Sequence, residues 1–222
     1  MKAVIFDMFE TLVSFYDTPL YFSEDMAQDA GVSIPLFRQY WDSTEDERTL
    51  GRLTLEEALE WTLAQCGGAD RATILRIAQR RTAFKRECFQ RLHGGVVPML
   101  EGLKSGGIRI GLISNCFSEE QGAIRDSVLF PYFDVAMLSC EQGLKKPDKA
   151  LFMRCVEQLG VSPQECLYVG DGGSRELETA RELGMTAVQA VWYLRGIPTQ
   201  ECRRTEFPQA ESPDEIVGMA LK

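Results

Sequence analysis

The chain has 222 residues, enough for one large domain or for a core carrying a sizeable insertion, and its 45% hydrophobic and 26% charged content is ordinary for a globular protein. Its formal charge of −9 excludes the clustered basic surface of a nucleic-acid binder, and no apolar run approaches the ~20 residues of a membrane helix. The N-terminus starts directly on a strand pattern, so no signal or transit peptide is expected.

Residues 2–8 read as the first strand, because Val4-Ile5-Phe6 is a continuous apolar run ending in Asp7. From about Phe15 to His93 the pattern turns helical, with no convincing buried strand. Thr54-Leu55-Glu56-Glu57 is a capping box, and the helix after it carries Leu55, Leu59, Leu63 and Cys66 on one stripe until Gly67-Gly68. A further helix over 70–91 carries Arg76, Arg80, Arg81, Lys85, Arg86 and Arg91, which read as a solvated polar face first and a substrate contact second.

Gly94-Gly95 marks a turn, after which strands and helices alternate. The pattern predicts a helix over 98–105, a strand over 108–113, a helix near 118–128 and a strand over 134–138. Pro147 reads as the first residue of a helix that buries Leu151, Phe152, Cys155, Val156 and Leu159 and ends at Gly160. A strand over 166–170, a helix from about Ser174 to Leu183 and a strand over 186–191 follow. The stretch 194–212 reads as irregular surface, and Ser212-Pro213-Asp214-Glu215 caps a short final helix. This alternation predicts an α/β fold: a Rossmann-like parallel sheet over 1–13 and 95–222, with an all-helical segment over 14–94 inserted after the first strand.

The seven cysteines form no CxxC pair and read as reduced, small core hydrophobes of a cytoplasmic protein. His93 stands alone, so neither a zinc site nor a Ser-His-Asp triad has its ligands, and it reads as a linker residue near the surface.

Polar groups gather at element ends: Asp7, Ser114-Asn115, Lys145-Lys146-Pro147, and Asp171 with Glu176. The C-terminal edge of a parallel sheet is where open α/β folds bind ligands. Bare carboxylates at two such ends predict an oxygen-lined site for a hard cation and an anionic substrate. Taken singly, each has a bland alternative: a strand-end residue, a helix cap, solvated lysines, a turn. Taken together and in this order, the set resembles the haloacid dehalogenase-like hydrolase superfamily over the whole chain, including a helical cap inserted after the first strand.

That resemblance implies a chemistry. Asp7 is the carboxylate nucleophile that takes the phosphoryl group as an aspartyl-phosphate. Backbone N–H groups from Met8 to Thr11 cradle the transferring group. Ser114 donates its hydroxyl to a phosphoryl oxygen, aided by the Asn115 N–H. Lys146, directly before the proline, neutralises nucleophile and substrate together, with Lys145 as the fallback. Mg²⁺ is held by Asp7, the Phe9 carbonyl and Asp171, and Glu176 orients a metal-bound water. The inserted helices close over the site on linkers at 13–17 and 92–96, and Phe15, Tyr16, Arg48, Gly51 and Arg52 are candidates for their substrate-facing surface.

One position departs from the pattern. Family phosphatases usually carry a second aspartate two residues after the nucleophile, which protonates the leaving oxygen. Here that residue is Phe9, which cannot transfer a proton and fills the seam between insertion and core as an apolar plug. Family dehalogenases also lack that aspartate, but they generally lack the acidic metal site as well, and this chain has Asp171 and Glu176. A carboxylate pair beside Asp7 without a cation would only add repulsion, so the metal signal carries more weight. Glu10 is a weak substitute acid, because neighbouring side chains on an extended segment point apart.

The expected protein is thus a Mg²⁺-dependent phosphatase of a small phosphorylated metabolite, monomeric or homodimeric, without nucleic-acid or membrane partners. The alternatives are a 2-haloacid dehalogenase using Asp7 without metal, and a weakly active relative that mainly binds a phosphorylated ligand.

Overall fold

A computed structural model of the chain describes residues 1–194 and 203–222. Strand β1 (Ala3–Phe6) is followed by five helices: α1 (Ser23–Ala30), α2 (Ile34–Ser43), α3 (Glu45–Thr49), α4 (Leu55–Gln65) and α5 (Arg71–Cys88). Then come α6 (Val96–Ser105), β2 (Arg109–Ser114), α7 (Ser118–Arg125), β3 (Val135–Leu138), α8 (Ser139–Gln142) and α9 (Lys149–Leu159). The chain closes with β4 (Cys166–Gly170), α10 (Glu176–Glu182), β5 (Thr186–Ala190), β6 (Gln209–Ala210) and α11 (Pro213–Ala220). The α/β, Rossmann-like architecture expected from the sequence is the one observed.

The strands pair in parallel in the order β3-β2-β1-β4-β5-β6. The strand order reverses at β1, so the crevice at its C-terminal end is the topological switch point of the sheet. Phe6 lies opposite Leu112 on one side and Val169 on the other, which brings the ends of β1, β2 and β4 to one edge.

Successive residues of β1 serve opposite faces. Ala3 and Ile5 belong to an apolar cluster with Phe152, Cys155 and Tyr168, whereas Val4 and Phe6 belong to the cluster on the other face. That second cluster continues without a break through Met8 and Leu12 into Phe37, Leu59 and Ile77 of the inserted helices. The crossings into and out of the insertion are fastened to the core. The Tyr193 hydroxyl accepts from the His93 N–H at 2.8 Å and donates to the Leu12 carbonyl at 3.4 Å. Trp192 Nε1 donates to the Thr11 carbonyl at 2.9 Å.

Three local expectations need correction. Pro147 does not open α9: Asp148 caps that helix, its Oδ1 accepting from the Ala150 N–H at 2.9 Å, so Pro147 stays in the preceding loop. Helix α10 begins at Glu176, not Ser174, because residues 171–175 form the loop of the candidate site. Within the stretch read as irregular surface, Gln209–Ala210 adds an edge strand and Phe207 is buried; residues 195–202 of that stretch, with Pro198 and Cys202, lie outside the described residues. Among the described residues no helix is long and apolar enough to cross a membrane.

Candidate active site

Asp7 leaves β1 at the switch point, and its N–H donates to the Val169 carbonyl at 2.9 Å. The next residues fold into a tight turn. Leu12 and Val13 donate to the Met8 carbonyl, Glu10 donates to the Val13 carbonyl, and Glu10 takes a φ of 56°. Met8 and Glu10 therefore spend their N–H groups locally: Met8 N–H donates to Asp7 Oδ1 at 2.7 Å. Phe9 and Thr11 are left as the N–H donors of the turn with no backbone partner among the described residues.

Asp7 Oδ1 lies 2.6 Å from Lys146 Nζ, and the same ammonium lies 2.5 Å from Glu176 Oε2. Ligand atoms of Asp7, Asp171 and Glu176 all fall within 4.8 Å of one another. Glu176 turns back because its Oε1 accepts from the Gly172 N–H at 3.0 Å. Gly170 makes room for it: a Cβ there would stand 2.5 Å from Glu176 Oε1. Asp171 is fixed by the Gly173 N–H on its Oδ1 at 3.0 Å.

Lys146, not Lys145, enters the cluster; Lys145 pairs with Asp46 of the insertion. Asn115 sets the Lys146 backbone, accepting from its N–H at 2.7 Å and donating to its carbonyl at 3.2 Å. The Asn115 side chain is thereby a brace for the lysine. Ser114 is fully buried, and its hydroxyl reaches only the Asn115 carbonyl, at 3.4 Å.

Three carboxylates share one ammonium, which leaves the cluster short of positive charge. Burial, partly offset by Lys146 and reinforced by Glu176, pushes the Asp7 carboxyl up to about 7. Asp171 is held well above the usual carboxylate range by burial, then by Glu176 and Asp7. Burial works against the Lys146 ammonium, but Asp7 and Glu176 outweigh it and keep its pKa above the ordinary lysine value. An all-oxygen donor set with this charge deficit fits a hard divalent cation.

A cavity of about 990 Å³ opens over the cluster, lined on the core side by Asp7, Asn115, Lys146 and Asp171. Phe9 forms part of its wall and stacks on Phe15 with ring centroids 4.5 Å apart. Of the insertion residues singled out in the sequence, Phe15, Tyr16 and Arg48 line this cavity. Arg52 instead pairs with Glu47 at the surface, and Gly51 packs against the Cys140 carbonyl, where any Cβ would collide with that oxygen. Glu10 lines the cavity, but its carboxylate accepts from Ser14 Oγ at 2.8 Å and the Phe15 N–H at 2.9 Å.

The polar face of α5 is not wholly solvated. Arg81 Nε lies 2.7 Å from Glu119 Oε1, and Lys85 Nζ lies 2.6 Å from Glu120 Oε1, with all four side chains at most 5% exposed. Glu119 and Glu120 occupy the first turn of α7, where carboxylates are favoured by the helix dipole, and Glu120 also accepts from the Phe117 N–H at 2.9 Å. The i,i+4 spacing of Arg81 and Lys85 was visible in the sequence; their partners almost forty residues downstream were not.

The sequence profile of the haloacid dehalogenase-like hydrolases matches residues 1–184. Phosphoserine phosphatase of Thermus thermophilus is 30% identical over 165 residues, covering 73% of this chain and only 61% of that protein. Phosphoglycolate phosphatase of Aquifex aeolicus is 26% identical over 208 residues, covering 86% of this chain and 85% of that one. The crystal structure of a 2-haloacid dehalogenase from Pseudomonas syringae superposes with a TM-score of 0.70 over 100% of both chains at 20% identity, a likeness of fold alone.

Proposed function

Because the chain belongs to the haloacid dehalogenase-like hydrolase family, we propose that it is a Mg²⁺-dependent phosphatase of a small phosphorylated metabolite, working through an aspartyl-phosphate on Asp7. In this proposal residues 1–13 and 95–222 form the hydrolase core and 14–94 the cap. The enzyme acts in the cytoplasm as a monomer or homodimer. The observation that carries the proposal is the cluster of Asp7, Asp171 and Glu176 around the single ammonium of Lys146. Relatives named as phosphatases support the choice of phosphorus as the electrophile.

Asp7, the Phe9 carbonyl and Asp171 would hold the Mg²⁺, with Glu176 beside it. The ion, when bound, screens the negative charge of nucleophile and phosphoryl group. The chain's own residues do the rest. Asp7 Oδ1 is engaged by Met8 N–H and Lys146, so Oδ2 is the oxygen that attacks. An Asp7–phosphorus bond forms as the bond to the leaving oxygen breaks. Lys146 balances charge on the transferring group, and Asn115 keeps it in place. The turn after Asp7 offers the Phe9 and Thr11 N–H groups to the equatorial oxygens. Water then hydrolyses the acyl phosphate and frees Asp7.

Phe9 cannot supply the proton that family phosphatases give the departing oxygen from this position, a loss typically worth a factor of about 10² to 10⁴. Substrates with good leaving groups, such as acyl or aryl phosphates, suffer least. The apolar wall of Phe9 and Phe15 keeps a second reading in view, a dehalogenase using Asp7 on carbon. Two carboxylates beside the nucleophile, Asp171 and Glu176, argue against that reading, since one ammonium leaves their repulsion for a further cation to relieve.

The test is release of phosphate from an aryl phosphate. Activity should require Mg²⁺, vanish in Asp7→Asn, and need a much higher Mg²⁺ concentration in Asp171→Ala. Halide release from a 2-haloacid in the presence of a chelator would overturn the proposal.

A further inference from the structure

Arg48 is a buried cation that feels Glu119, Glu45 and Glu120 without a contact ion pair among the described residues. It is 3% exposed and lines the same cavity as Asp7 and Lys146. Among the described residues no carboxylate lies within ion-pair distance of it, whereas its neighbours Arg81 and Lys85 have Glu119 and Glu120.

The guanidinium is held rigidly all the same. Its carbon sits 3.8 Å from the Trp41 ring centre and 4.3 Å from that of Phe117. Nε donates to Thr44 Oγ1 at 2.9 Å, and Nη2 reaches the Trp41 carbonyl at 3.4 Å. Nη1 is buried and has no hydrogen-bond partner among the described residues. Burial, and then the nearby charge of Arg81, lower the Arg48 pKa to about 10, so it stays charged at neutral pH.

Burying a charge without a counter-ion is expensive, and an unmet N–H adds to the cost. A cavity-lining side chain fixed on both faces and at two nitrogens, with the third nitrogen unspent, is preorganised for an anion. Arg81 and Lys85 are neutralised by Glu119 and Glu120, and Asp42 and Glu45 line the same cavity without pairing with Arg48 among the described residues. A single planar guanidinium held in place matches the planar edge of a carboxylate.

We propose that Arg48 anchors a second anion site in the cavity, and that the substrate is a small phosphate ester carrying a carboxylate, its phosphoryl group at Asp7 and its carboxylate at Arg48. The inference rests on the phosphatase reading for the first end of the substrate and on Arg48 alone for the second.

The two parts fail separately in one experiment. Phosphate release from phenyl phosphate in Mg²⁺ buffer judges the phosphatase reading and does not involve Arg48. Calorimetric binding of phosphonoacetate against methylphosphonate, which differ by the carboxylate, judges the second site whether or not turnover is seen. The unsubstituted protein should favour phosphonoacetate by about ten- to a hundredfold, the range for a charge-assisted pair. In Arg48→Gln that ratio should collapse toward one, and in Arg48→Lys it should fall part of the way. Equal binding of the two ligands by the unsubstituted protein, which no folding defect can explain, overturns the proposal. So does a preference that survives Arg48→Gln. Arg48-dependent binding of methylenediphosphonate tighter than that of phosphonoacetate would overturn the assignment of a carboxylate.

Discussion

Replacing Lys85 by methionine should destabilise the protein by about 3–5 kcal/mol, the cost of stranding one half of a buried ion pair. Lys85 and Glu120 are each 3% exposed at the side chain and stand 2.6 Å apart. Methionine refills most of the aliphatic stem, so packing is a small part of the loss. What remains is the Glu120 carboxylate with one N–H donor, that of Phe117. The ammonium also sits 3.6 Å from the centre of the Phe15 ring, a contact worth about 0.5–2 kcal/mol that methionine forfeits. Glutamine at position 120 keeps an acceptor for the Phe117 N–H without the charge. The double variant Lys85→Met/Glu120→Gln should therefore return to within about 1–2 kcal/mol of the parent. Urea unfolding followed by circular dichroism gives all four corners of the cycle, and the coupling energy is read from their differences. A single-variant loss below about 1 kcal/mol, the range of exposed pairs, would mean that water reaches this seam and that the reasoning from burial is wrong.

Three other outcomes follow from the same geometry. Phe9→Asp, which restores a proton donor beside Asp7, should raise turnover of alkyl phosphates more than of 4-nitrophenyl phosphate; equal effects on the two would remove general-acid loss as the explanation. Glu119 concerns acid stability. Burial opposes its charge, but Arg81 outweighs burial and holds the carboxyl below its ordinary value of 4.5. The unfolded chain then takes up the proton first, so this stabilisation is complete above about pH 4.5 and drains away as pH falls through the folded value. The stability gap between parent and Glu119→Gln should narrow in acid, and a gap constant from neutral to acid pH would contradict the sign. Finally, Cys116 and Cys140 hold their sulfurs 3.7 Å apart, each two residues beyond the paired Ser114 and Leu138. Diamide, accepting two electrons and two protons, should join them, and intact mass should fall by two hydrogens in the parent but not in Cys140→Ser.

Much of the site is written in local sequence. Asp7 and Asp171 are legible because each follows an apolar run buried on both faces, and parallel pairing carries such ends to one edge. Glu176 is legible only through its family position, since its return to Gly172 depends on a loop whose conformation the residue types do not fix. The choice between Lys145 and Lys146 turned on Asn115, thirty residues earlier, which grips one backbone and not the other. Arg81 and Lys85 were misjudged for a related reason. A polar stripe on a helix looks the same whether water or a row of glutamates covers it, and periodicity carries no information about what lies opposite. The start of α9 was missed because Pro147 and Asp148 are both good opening residues, and the aspartate made the capping bond.

The Tyr193 clasp has a consequence for anyone who would transplant specificity between relatives by exchanging the segment 14–94. That segment is not a detachable part. Its apolar interior is shared with the sheet, its two ends are sewn to a single phenol from the far end of the chain, and two of its cations are answered by glutamates of α7. A chimera that swaps only the insertion inherits a donor's charges without their counterparts and a recipient's tyrosine without its seats. The natural unit of exchange is larger: the helices together with the opening turn of α7 and the residue at position 193.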